Sequence, residues 1–144
     1  MNDTYAAENA SERERLVRVT NRLSEEDLRR QLPNGWSIAT TLVHLAFWDQ
    51  YFLALLKAWE RSGYNPISAD ANAVNDAVRV LGGAIPAATA VQLVRAAAEA
   101  IDRHLEGIPP ELRAAIEGSG RVWILKRAMH RRQHLDQIEK ALAT

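Results

Sequence analysis

The sequence predicts an all-α fold, a four-helix bundle with short connecting helices, and three observations point there. Alternating β-branched residues are nearly missing, while Ala, Leu, Glu and Arg recur at three- and four-residue spacing. Four long segments carry an apolar stripe of that period, and packing the stripes against one another is the economical way to bury them. Gly and Pro fall between those segments, where they break helices. A chain of 144 residues with 47% hydrophobic composition suits one core, so a single domain over 1–144 is expected.

The first helix is expected from Asn9 to Leu23, with Leu16, Val19, Thr20 and Leu23 on one side and the charges of SERER on the other. Ser24 followed by Asp27 has the form of an N-cap with an acidic third position, opening a short connector that Pro33, Asn34 and Gly35 stop. Ser37 then caps a long second helix to Arg61, with Trp36 placed to staple onto Thr41. Gly63, Asn65 and Pro66 break the chain before ADANAVNDAVRVL, a helix of about three turns ended by Gly82 and Gly83. After Pro86 the Ala-rich AATAVQLVRAAAEAIDRHLE forms the third long helix, with Val94, Ala97, Ile101 and Leu105 inward and Gly107 as the stop. PPELRAAIEGSG adds a proline-started turn or two and a joint at Gly118 to Gly120, and the last helix is expected from Arg121 to Leu142.

Composition narrows the function. Eighteen Lys+Arg balance eighteen Asp+Glu, so nothing favours nucleic acid or an anionic membrane as partner. No run is long and apolar enough to span a membrane, and the polar start MNDTYAAENASERER has no signal-peptide core, so the expected location is cytoplasmic. Cysteine is absent, which excludes disulfides, thiolate metal sites and a cysteine nucleophile from this chain. Any thiol chemistry must use a thiol from outside.

The chemistry-bearing stretch is AMHRRQHLDQIEKAL, where His130 and His134 stand one helical turn apart. On a helix such a pair shares a face, with Cβ atoms roughly 5–6 Å from each other, and offers a metal two nitrogens without backbone strain. His44, on the border of the second helix's apolar stripe, is the natural third ligand. Phase supports the grouping: His134 falls about 40° from His130, on the side of Ile138 and Ala141 and away from Asp136 and Lys140. Unpartnered buried imidazoles are costly, so hydrogen bonds or a metal must compensate. The competing reading is that each is an ordinary core histidine bonded to a carbonyl. Three neutral imidazoles with an open position favour Zn²⁺ or Ni²⁺, with Fe²⁺ and Mn²⁺ also compatible.

Neighbouring residues extend the site. Arg127 and Arg131 lie on the core-facing half of the last helix, and Asp49 falls within the apolar arc of the second. Asp49 is expected to pair with one of these arginines, or to hold a histidine from behind; Arg127 as an anchor for a substrate carboxylate is the weaker alternative. Trp48, Tyr51, Trp59 and Trp123 sit on the faces that carry the histidines, where they either wall an apolar pocket or fill the core. His104, near the end of the third long helix, suits the helix dipole and is left out of the site.

GWSIATTLVHLAFWD on the second helix and HRRQHLDQIEKAL at the end together resemble the DinB/YfiT-like superfamily of metal-dependent four-helix bundles, across nearly the whole chain. In that family a histidine in a Trp-Ser…His-Leu context joins a His-x-x-x-His pair on the last helix to bind a divalent metal, which implies His44, His130 and His134 here. The resemblance further implies a metal-dependent enzyme acting on a small-molecule substrate. Characterised members include S-transferases and isomerases that use low-molecular-weight thiols such as mycothiol or bacillithiol. The expected function is therefore an S-transferase that activates such a thiol against a small electrophile. The alternatives are a metal-dependent hydrolase and a non-catalytic bundle that binds metal or forms a homodimer through exposed helix faces.

Overall fold

A computed structural model describes residues 4–66 and 68–144. Among them seven α-helices follow one another: α1 (Thr4–Arg22), α2 (Glu25–Arg29), α3 (Ile38–Ser62), α4 (Ala71–Gly82), α5 (Ala87–Glu106), α6 (Pro110–Gly118) and α7 (Ala128–Leu142), with a 3-10 turn at Val122–Ile124 before the last. Among the described residues the only strand-like feature is an isolated antiparallel bridge between Gln31 and Ser37. The all-α bundle expected from the periodicity is what forms, with α1, α3, α5 and α7 as its four long members. No helix among the described residues is long and apolar enough to cross a membrane.

The expected caps are in place. Ser24 and Asp27 close a reciprocal capping box on α2, and the Ser37 hydroxyl accepts from the Thr40 amide to start α3. At the far end of α3, Gly63 has φ +89° while its amide bonds the Trp59 carbonyl, a conformation that needs a glycine. The first helix begins at Thr4 rather than Asn9, because Tyr5 packs against the core and its hydroxyl donates to Glu117 Oε2 at 3.2 Å.

The last helix departs further from expectation, starting at Ala128 instead of Arg121. The cause is a side chain from the other end of the chain. Asn9 of α1, 2% exposed, donates through Nδ2 to the Leu125 carbonyl at 2.9 Å and accepts at Oδ1 from the Ala128 amide at 2.8 Å. It thus supplies bonds that another turn of helix would have made internally, and the chain before Ala128 takes a 3-10 turn entered through Gly120 at φ +77°. Trp123 consequently leaves the register of α7 and is 48% exposed, whereas Ile124 stays buried.

Two apolar clusters fill the bundle, and their members fix its direction. Along α3, Leu42 and Leu45 belong to the first cluster and Leu53 and Leu56 to the second; on α5, Val94 and Ala98 precede Ile101 and Leu105 in the same order. The order reverses on the last segment, where Ile124 of the second cluster precedes Leu135 and Ile138 of the first, and on α1, where Tyr5 precedes Leu16. So α3 and α5 run in one direction and α1 and α7 in the other, and the segment bearing α4 carries the chain back between the parallel pair. Between the clusters each long helix contributes polar groups: Asn9 and Arg13, Asp49, Asp102, and Arg127 with Arg131. Replacing Asn9 with Ala would strand the Leu125 carbonyl and the Ala128 amide, and denaturant unfolding is expected to register a loss of about 1–3 kcal/mol.

Candidate metal centre

His44, His130 and His134 meet at one place. Helical phase alone brings the second pair together, since residues four apart on α7 stack one turn above another. Packing of α3 against α7 then adds His44. The three rings form a nearly equilateral triangle, with centroids 4.9, 4.8 and 4.8 Å apart and each pair edge-on. Nε2 of His44 lies 3.0 Å from Nε2 of His130, and one nitrogen from each of the three rings lies within 4.8 Å of the others. Nitrogens bound at about 2.0–2.1 Å to one tetrahedral ion would sit roughly 3.3 Å apart, so the triangle needs only small adjustment to hold one.

The surroundings set up the rings differently. The His134 Nδ1 lies 2.9 Å from Gln137 Oε1, an acceptor that favours the proton on Nδ1 and leaves Nε2 bare. The His44 Nδ1 is buried without a hydrogen-bond partner. Arg127 Nη2 donates towards His130 Nδ1 at 3.4 Å, a long contact from a group that can only donate. All three imidazoles are held neutral. Burial pushes His44 down to about 4, aided by the neighbouring His134 and Arg127. Burial and then the Arg127 charge push His130 far down, and burial lowers His134 against the opposing bond from Gln137. Neutral, converging nitrogens are what a divalent cation requires of imidazole ligands. The donor set therefore fits one.

A cleft of about 620 Å³ opens beside the triangle. Trp36 sets its ring edge-on to His44 at 5.4 Å, and Trp48, Phe52 and Trp123 supply further apolar wall. Trp48 Nε1 donates to Asn75 Oδ1 at 2.9 Å, tying α4 over the mouth. Asn75 was not foreseen as a site residue, although it stands three positions before the buried Val78 and so shares its face of α4. Trp59 and Tyr51, also considered as pocket walls, line a neighbouring compartment, and Trp59 belongs to the second apolar cluster as well. His104 lies outside the triangle and pairs with Glu60 Oε2 at 3.1 Å.

Asp49 makes the expected ion pair, and makes it twice. Its Oδ1 accepts from Arg127 Nε at 2.8 Å and its Oδ2 from Arg131 Nη2 at 3.3 Å, all three side chains being at most 3% exposed. Arg127 also donates to the Trp123 carbonyl at 2.9 Å and lies over the Phe52 ring. Neither arginine snorkels to solvent. Asp102 of α5 takes the Arg131 fork at 2.9 and 2.8 Å and also pairs with Arg13, a role for Asp102 that its place beside the apolar Ile101 only hinted at.

A model of the DinB superfamily matches residues 9–138, nine-tenths of the chain. The chain belongs to the DinB superfamily. No curated protein and no solved structure matches it. The stretches carrying the resemblance, around His44 and from His130 to His134, are the ones the fold of this DinB-superfamily member brings together.

The depressed pKa of the histidines has a sign that can be tested. Unfolded histidine titrates near about 6.5, above the folded value of about 4 for His44, so protons bind the unfolded chain preferentially between these limits. The metal-free protein should hold its full share of this stability above about pH 6.5 and lose it progressively towards pH 4. Melting curves across this window check it, and the His44→Asn variant should show a shallower decline.

Proposed function

We propose that His44, His130 and His134 bind one divalent metal, zinc or nickel, and that this DinB-superfamily member is a metal-dependent S-transferase using a low-molecular-weight thiol of the mycothiol or bacillithiol type against a small electrophile. The observation that carries the reading is the set of donors itself: three neutral imidazoles within 4.8 Å and, among the described residues, no fourth histidine or carboxylate in the group. Three protein ligands leave a coordination position for an exogenous group. A metal held there supplies Lewis acidity, favouring the thiolate form of an incoming thiol or the deprotonated form of a water.

Two features of the chain favour the thiol. It has no cysteine, so a sulfur nucleophile comes from outside, through the cleft. No carboxylate is among the described residues lining that cleft, which withholds the general base that helical metallohydrolases place beside their histidines. A thiol, with an unperturbed pKa of about 8.5, needs less help to ionise than water does. The chain's own contribution is placement. Trp36, Trp48, Phe52 and Trp123 give the reactants an apolar wall and limit water, and Gln137 orients the His134 ring.

Elemental analysis of protein purified without added metal or a metal-binding tag should find about one zinc or nickel per chain, and almost none in a His130→Ala, His134→Ala double variant. Equal content in both retires the site. Incubation with mycothiol or bacillithiol and a reactive electrophile should consume the thiol only with the wild-type protein. Turnover that proceeds without thiol would instead assign hydrolysis.

A further inference from the structure

The cleft beside the histidines does not end at its aromatic wall. A second compartment of about 410 Å³ adjoins it, and Trp48, Phe52, Ala71 and Trp123 line both. Tyr51, Leu55 and Trp59 extend the wall away from the histidines, so the second compartment is overwhelmingly apolar and aromatic. Ser68 and Arg121 are the polar residues among the described lining, and only Arg121 carries a charge. Arg121, at the entry to the 3-10 turn, makes no ion pair or side-chain hydrogen bond among the described residues.

Among the described residues Arg18, Arg61 and Arg79 also lack a side-chain partner, but they are exposed and line neither compartment, whereas Arg121 is half-buried at the hollow. Arg127, the cation lining the first compartment, is already neutralised by Asp49 and committed to the Trp123 carbonyl. Arg13, Arg15, Arg22, Arg29, Arg103 and Arg132 all pair with carboxylates. A guanidinium without a counter-charge at an aromatic-walled hollow matches a carboxylate on a flat apolar body, which stacks on the rings while the fork takes both oxygens.

We infer that the second compartment binds the planar apolar body of a substrate and Arg121 its carboxylate, so that the protein selects elongated aromatic or similarly flat carboxylates whose opposite end reaches the three histidines. The inference rests on the proposed reactive site only for what happens at that opposite end. Affinity for the body and the anion is a property of the aromatic residues and Arg121 alone. Trp123 has a particular place in it, because its half-exposed ring is shared by both compartments and would lie along the ligand.

The test uses 2-naphthoate and its neutral analogue 2-naphthamide with the full chain, as purified and again after chelation, followed by calorimetry and by quenching of tryptophan fluorescence. The naphthoate should bind both preparations and the amide more weakly. Arg121→Gln should weaken the naphthoate about tenfold and leave the amide unchanged, with Arg121→Lys intermediate. Trp123→Ala should weaken both probes alike. His130→Ala should leave naphthoate binding intact, which keeps the inference distinct from the metal reading: loss of metal content there with retained binding separates the two. Equal affinity for acid and amide, indifference to Arg121→Gln, binding that disappears on chelation, or no binding of either probe would each overturn the assignment.

Discussion

The structure depends most on a layer of charge sealed inside it. Asp49, Asp102, Arg127 and Arg131 lie between the two apolar clusters, each at most 5% exposed, and Arg13 pairs with Asp102 from the more exposed side. Isolated, any of these charges would be prohibitively costly to bury. Together they compensate: burial works against the Arg131 charge, but Asp49 and Asp102 outweigh it, and its pKa is raised. Carbonyls of Asn9 and Ala98 accept further bonds from the same guanidinium, although its Nε stays unsatisfied. Every long helix touches the layer. Sliding any one of them along the bundle axis would separate a carboxylate from its arginine, so the layer fixes register where apolar contacts alone would tolerate slippage.

Register matters because the candidate metal centre spans two helices. His44 is five residues before Asp49 on α3, and His130 lies between Arg127, the residue just ahead of α7, and Arg131 within it. The ion pairs therefore clamp the two backbones within about a turn of the triangle, and the rings converge as a consequence. A buried ion pair is weak evidence of stability, since apolar substitutes of similar volume are often as good or better. Its value here is positional. The same clamp occupies both Asp49 oxygens, which otherwise stand near enough in the chain to compete as an oxygen ligand. With Asp49 held by two arginines, the donor group remains three imidazoles.

Much of this was readable in the chain, for local reasons. Ser24 and Ser37 cap helices through contacts three residues long, and the phase of His130 and His134 depends only on α7 being helical. The pairing of Asp49 with Arg127 followed from two opposite charges on inward arcs. What stayed hidden depended on tertiary contacts. The start of α7 is set by Asn9, 119 residues from the amide it caps, and no periodicity can report that. The role of Asp102 depends on Arg131 of another helix, which nothing local to α5 reveals. Trp123, placed in phase with the histidines by a helix that starts too late to include it, reached the cleft through the 3-10 turn instead.

Arg127 concentrates the conflict in this design. Its Nη2 faces His130 Nδ1 at 3.4 Å, and an imidazole that uses Nε2 for a cation carries its proton on that same Nδ1. A donor then confronts a donor, and a positive charge stands beside a second one, so Arg127 opposes occupancy of the triangle through both terms. Yet the same charge helps keep His130 unprotonated, and the same side chain holds Asp49 and the turn that carries Trp123. Protons and metal ions compete for one lone pair, and a nearby cation discourages both. A cation held by these three imidazoles would therefore be bound less tightly than one whose histidines had carboxylates behind them, because Arg127 stands where such a carboxylate would accept the His130 Nδ1 proton.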